Sequence, residues 1–175
     1  MMAISADGDG AYTANVGAGT VSAIDLRKKS VLAVIPVSSS VQHIAISHVD
    51  RWVFTADQAK PDLAVIDART NKTKTRIPLP ALGFGLADTG DDRLLVTHPD
   101  AKSLSIVNLK TMRVEATISV PAEPQEILIR PDDRVAYISC DESQQVVALD
   151  LTSLKVTKTF KAGAGADGLA WAAQP

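Results

Sequence analysis

The sequence predicts an all-β chain built from four copies of one unit. Three observations predict it. The pair Ile24-Asp25 recurs as Ile66-Asp67, Val107-Asn108 and Leu149-Asp150, at steps of 42, 41 and 42 residues. A second column, Tyr12, Phe54, Leu95 and Tyr137, keeps one offset before that Asp or Asn, and a third, Ile35, Ile77, Ile118 and Phe160, keeps one offset after it. No segment carries a sustained helical period, whereas short runs rich in Val, Ile and Thr alternate with turn residues.

Each copy follows one plan. A short apolar piece opens it, as in "IAIS" (Ile44 to Ser47). A polar turn follows: "ADGDG", "HVDR", "TGDDR" or "PDDR". Three more strand-like segments complete the copy, "WVFTAD", "LAVID" and "TKTRIPL" in the second. Four short antiparallel strands per repeat of this length make the blade of a β-propeller. The repeats fall at approximately 2–43, 44–85, 86–126 and 127–168, with an extra first strand at 169–172. Pro36 and Pro78 occupy matching places in the fourth strand. Proline cannot donate to a ladder, so the fourth strand is expected at the outer edge. Small residues (Ala3, Ala45, Ala87, Ala170) punctuate the first strands, which suits a crowded axis.

These residues resemble the YVTN family of β-propeller repeats. The likeness is carried by "YTAN" with "VSAIDL", by "FTAD" with "LAVIDARTNKTKTRIPL", and by "RPDDRVAYISC" with "VVALDL". It covers nearly the whole chain. The third copy, "LVTHPDAKSLSIVNL", departs most, with His98 and Asn108 in place of the first copy's Asn15 and Asp25. The resemblance implies a propeller and an extracytoplasmic setting. It implies little about function, because such folds carry scaffolds, binding proteins and enzymes.

Composition narrows the partners. The chain has 175 residues, 46% hydrophobic and 22% charged, with a formal net charge of −2. That charge argues against nucleic acid or an anionic membrane surface as the partner. Aromatics at 4% leave few stacking platforms. No apolar run reaches the length of a helical membrane span. The opening "MMAISADGDG" does not read as a signal peptide. Cys140 is the single cysteine, so no internal disulfide is expected.

The recurring Asp25, Asp67 and Asp150 read as turn-shaping residues, since Asn108 fills the same place and a side-chain oxygen can accept from a backbone N–H nearby. Function is expected elsewhere. Strands reverse direction within a blade, so the entry to each first strand and the end of each second strand lie on one face. The entries are His43, Gly85, Glu126 and Gly168; the ends are Asn15, Asp57, His98 and Cys140. These positions vary while the frame repeats, and they are expected to ring the channel mouth. His43, Asn15, Asp57, His98, Glu126 and Cys140 are therefore the candidate ligand-binding residues. His43 and His98 are the candidate metal ligands by residue type, but lack the close spacing of a metal motif. No cofactor is expected. Cys140 sits beside Asp141 and Glu142, which disfavours a thiolate. "KAGAGADG" (Lys161 to Gly168) precedes no helix and reads as a connection between blades.

The functional expectation is a non-enzymatic binding or scaffold propeller that uses the mouth face for a protein or small-molecule ligand. The alternative is a propeller enzyme at the same face, a lactone hydrolase or a metal- or cofactor-linked oxidoreductase. A third reading is a fragment with no function of its own. An open row of four blades leaves two apolar faces uncovered, so a two-fold homodimer closing one eight-bladed ring is expected.

Overall fold

The computed structural model describes residues 1–172. It contains sixteen strands in four antiparallel sheets. Blade one holds β1 (Met2–Ile4), β2 (Gly10–Asn15), β3 (Thr20–Asp25) and β4 (Ser30–Pro36). Blade two holds β5 (Val41–Ile46), β6 (Trp52–Asp57), β7 (Asp62–Asp67) and β8 (Lys72–Pro78). Blade three holds β9 (Leu86–Asp88), β10 (Arg93–His98), β11 (Ser103–Asn108) and β12 (Arg113–Ser119). Blade four holds β13 (Pro124–Ile129), β14 (Val135–Cys140), β15 (Gln145–Asp150) and β16 (Lys155–Lys161). Within each sheet the strands lie in chain order. Pro36 and Pro78 thus end outer-edge strands, where a missing N–H costs no ladder bond.

The repeat is written into the backbone as well as the side chains. Every blade has a bulge between its third and fourth strands, at Ala23/Ile24, Val65/Ile66, Ile106/Val107 and Ala148/Leu149. The turn that follows places Lys29, Asn71, Met112 and Leu154 at φ of 52°, 52°, 53° and 57°. The recurring acid stabilises that turn. Asp67 Oδ1 accepts from Arg69 N at 2.9 Å, and Asn108 Oδ1 from Lys110 N at 2.9 Å. Asp25 and Asp150 reach one residue further, to Lys28 N and Ser153 N. Those two N–H bonds hold both carboxyls below the usual aspartate value.

Side-chain alternation gives every blade two faces, and three cores fill the seams between neighbours. Tyr12, Val21 and Ile35 of blade one meet Ile44, Val53 and Ile66 of blade two. Phe54, Leu63 and Ile77 meet Leu94, Val96 and Val107 in the next seam. Leu95, Leu104 and Ile106 meet Ala136, Ile138 and Leu149 in the last. Packing passes from each blade to the next through β5, β9 and β13. The outer face of the first blade and that of the fourth belong to none of these cores. The result is a propeller-like arc of four blades.

Two details differ from the sequence expectation. β5 and β13 begin before their apolar pieces, because Val41 pairs with Asp57 and Pro124 with Cys140, ahead of a register shift. His43 and Glu126 therefore sit inside strand irregularities rather than before the strands. Leu169–Ala172, expected as an extra first strand, pairs with none of the described residues. A first strand needs a second strand of its own blade beside it, and none follows blade four among the described residues.

Candidate functional site at the channel mouth

The innermost strands converge on a cavity of about 480 Å³, lined among others by Gln42, His43, Phe84, Glu126 and Asp167. These residues come from blades two, three and four and from the segment after blade four. His43 Nδ1 lies 3.2 Å from Glu126 Oε1, which ties blade two to blade four across the axis. The His43 ring also packs on Phe84, with centroids 3.8 Å apart at 45°. Only 6% of the His43 side chain is exposed, and its Nε2 is buried without a hydrogen-bond partner. Glu126 keeps about a quarter of its side chain in solvent and Asp167 is exposed, so the rim of the cavity carries negative charge.

The other four candidates do not join this cavity. Asn15, Asp57, His98 and Cys140 end second strands, and alternation turns Asp57, His98 and Cys140 toward the preceding blade and Asn15 to the outer face of blade one. Asp57 Oδ1 accepts from Ala59 N at 2.8 Å. Its Oδ2 has no hydrogen bond and stands 3.7 Å from Arg76 Nη1. Arg76 also donates to Asp62 and to the Val37 carbonyl, pinning blade two to blade one. His98 is fully buried, with Nδ1 3.0 Å from the Leu82 carbonyl and Nε2 2.7 Å from Ser105 Oγ. A carbonyl only accepts, so Nδ1 carries the proton and Nε2 accepts from the hydroxyl. Burial pushes His98 below its ordinary value, while the Leu82 carbonyl pulls it back up. Asn15 donates to Thr20 Oγ1 at 3.0 Å and to Ser22 Oγ at 2.8 Å on the outer face of blade one.

Cys140 lies in the seam between blades three and four, where burial pushes its thiol up to about 11. The thiol is therefore protonated at neutral pH, and desolvation rather than Asp141 or Glu142 is the cause. His43 and His98 do not share a site. Among the described residues no group of three or more His, Cys, Asp or Glu side chains is placed to hold a metal ion.

Sequence reasoning missed Gln42, Phe84 and Asp167. Each stands one residue before the entry column His43, Gly85 and Gly168, so a shift of that column by one would have found them. Gly85 is fixed by close approach: a Cβ there would stand 2.2 Å from the Gln125 carbonyl oxygen of blade four. A second hollow, about 540 Å³, lies at the other end of blades one and two among Asp9, Asp25, Arg27 and Asp50. Its charges largely satisfy one another, as Arg27 pairs with Asp9 and Lys28 with Asp25 at 3.3 Å. The mouth cavity differs in drawing on all four blades, Met1 at the start of blade one included, and in holding a buried nitrogen with no partner, His43 Nε2.

No family model matches the chain. Two curated relatives match it over 97 residues at 24% identity: YncE of Salmonella typhi and YncE of Salmonella typhimurium, both described as uncharacterized. That match covers 55% of this chain and 28% of each relative, so the chain spans well under a third of their length. Among solved structures, the Kuenenia stuttgartiensis hydrazine synthase superposes with a TM-score of 0.84 at 17% identity. The superposition takes in 90% of this chain and 47% of that one. At that identity the likeness concerns the fold, and this chain is similar in fold to about half of the larger molecule.

Proposed function

We propose that the chain is a non-enzymatic binding or scaffold module that uses the channel-mouth face, and that two copies close one eight-bladed ring around it. One observation carries the binding reading. The side chains that converge on the mouth (Gln42, His43, Phe84, Glu126, Asp167) differ from blade to blade, whereas the frame behind them repeats. Variable polar groups on a rigid frame are the usual place for recognition. Their chemistry selects the ligand class: two carboxylates beside an aromatic ring favour a cationic group, such as a lysine or arginine side chain or a small amine.

Titration with a labelled tri-lysine peptide at low salt, with tri-glutamate as the control, tests this. Tri-lysine is expected to bind, and Glu126→Gln with Asp167→Asn to weaken it at least about tenfold, equivalent to about 1.4 kcal/mol. Equal binding of both peptides, or no effect of the substitutions, would overturn the cationic-ligand reading. Ring closure has its own test. Light scattering coupled to size exclusion is expected to give a mass near twice 18.5 kDa, and a clean monomer at all concentrations would refute it.

A further inference from the structure

Three buried hydroxyls hold the backbone of the mouth. Thr55 Oγ1 donates to the His43 carbonyl at 2.7 Å. Gly85 N, next to Phe84, donates to Thr97 Oγ1 at 2.7 Å. That hydroxyl donates in turn to the Gln125 carbonyl, next to Glu126, at 2.7 Å. Glu126 N donates to Ser139 Oγ at 3.1 Å, and Ser139 Oγ donates to the Asp167 carbonyl. Thr55, Thr97 and Ser139 are all buried. The backbone at or beside His43, Phe84, Glu126 and Asp167 is therefore held in place before a ligand arrives, which lowers the ordering cost of binding.

Two buried histidines sit on this frame, and they differ at one atom. In both, Nδ1 lies against an acceptor: the Leu82 carbonyl at 3.0 Å for His98, and Glu126 Oε1 at 3.2 Å for His43. An oxygen acceptor beside Nδ1 assigns the ring proton to Nδ1 and leaves Nε2 with its lone pair. His98 Nε2 accepts from Ser105 Oγ at 2.7 Å. His43 Nε2 is equally buried, yet none of the described residues donates to it. A buried acceptor without a donor is costly, and the cost is recovered when a donor arrives. His43 lines the mouth cavity and this nitrogen is closed to bulk water, so a donor reaches it from within the cavity.

We infer that His43 Nε2 accepts a hydrogen bond from an N–H of the bound cation, and that this bond makes the mouth select a primary ammonium over a fully methylated one. The inference rests on the cationic ligand proposed above and deepens it. Glu126 and Asp167 attract either cation, and Phe84 offers its ring face to either. These groups do not separate lysine from trimethyl-lysine, because both carry the same charge. The difference lies in the donors: a lysine ammonium presents N–H groups and a trimethylated one presents none. Trimethyl-lysine would leave Nε2 unpaired in a water-excluding site, and a site built to bond an N–H rejects the analogue that lacks it. Strong recognition of a quaternary ammonium uses a cage of aromatic rings. Among the described residues lining this cavity, Phe84 and the His43 imidazole are the only rings.

Labelled tri-lysine and its trimethylated counterpart, titrated into the full chain at low salt with tri-glutamate as the control, test the selectivity. Tri-lysine is expected to bind at least about tenfold tighter than the trimethylated peptide. His43→Asn keeps an amide donor near Glu126 and removes the acceptor at the Nε2 position. It is expected to bring tri-lysine down to the level of the trimethylated peptide and to leave that peptide unchanged. His43→Gln carries an amide oxygen to the Nε2 position and is expected to restore part of the preference. A second readout needs no substitution. In protein carrying isotope-labelled histidine, His43 Nε2 is expected to lack a proton in the free state. Its nitrogen resonance should shift with tri-lysine and not with the trimethylated peptide. Equal or tighter binding of the trimethylated peptide, or a proton on Nε2 in the free protein, would overturn the role of His43 and leave the cationic reading standing. If neither lysine peptide bound better than tri-glutamate, both readings would fall.

Discussion

The seam between blades two and three and the outer face of blade four use the same columns of the repeat, yet one is dry and the other is not. Phe54, Leu63 and Ile77 are buried against the next blade, whereas their equivalents Tyr137, Val146 and Phe160 all retain exposed surface. The strand β16 is exposed along its full length. The blade plan therefore specifies an apolar face on blade four too, where no further blade lies among the described residues. A blade is a unit that cannot bury its own faces, and its stability is a property of its seams.

The largest test of this contrast compares Phe54→Ala with Tyr137→Ala by denaturant unfolding. Phe54→Ala is expected to cost about 3–5 kcal/mol, the range for removing a buried aromatic ring from a packed seam. At high dilution Tyr137→Ala is expected to cost less than about 1 kcal/mol, since its ring is already partly wet. Equal costs at high dilution would break the distinction between closed and open faces. A Tyr137→Ala cost that grows with protein concentration would sharpen it, because only an assembled junction buries that ring.

Arg76→Ala gives a smaller effect at a closed seam. It removes the bond to the Val37 carbonyl and leaves the buried Asp57 without its nearest cation. A loss of about 1–2 kcal/mol is expected, discounted because Arg76 is itself about a third exposed. Arg76→Lys should recover only part of it, since a single ammonium cannot span the carbonyl and both carboxylates. Full rescue by lysine would mean that charge alone acts there.

The turns should respond more weakly and alike in every blade. Asn108→Ala is expected to cost about 1 kcal/mol, the scale of a net hydrogen bond, through loss of the Lys110 N and Thr111 N bonds. Asn108→Asp keeps the acceptor but loses the Nδ2 bond to Glu115 Oε2 at 3.0 Å and sets two exposed carboxylates together, so it should cost less than Asn108→Ala without being neutral. If the two variants were equally damaging, the turn would depend on the amide and not on the acceptor oxygen.

At neutral pH the smallest effect comes from His98, and it appears only on acidification. Its folded-state value lies below the ordinary 6.5 because of burial, so below pH 6.5 the unfolded chain takes up a proton that the folded chain resists. Stability from this group is complete above pH 6.5, declines as pH falls below 6.5, and levels off beneath the folded-state value. His98→Gln is expected to flatten the stability profile between about pH 7.5 and 5. An unchanged slope would mean that another group carries the acid sensitivity.

The sequence alone determined the blades. Columns such as Tyr12, Phe54, Leu95 and Tyr137 are legible because a strand repeats every two residues and a blade every 41 or 42. Turn acids are legible for the same reason, since a local bond needs only local spacing. The candidate site was legible in part. His43 and Glu126 were found as variable entries, but their 3.2 Å contact joins residues 83 positions apart and follows from the curvature of the arc. Asn15, Asp57, His98 and Cys140 were grouped with them by chain direction, which fixes the end of a blade but not the face a side chain takes. Only the tertiary structure decided that Asp57, His98 and Cys140 turn toward the preceding blade and Asn15 to the outer face of blade one, while Phe84 and Asp167 reach the axis. The reason is physical: periodicity fixes which residues share a face of one sheet, and only the packing of one sheet on the next fixes what that face meets.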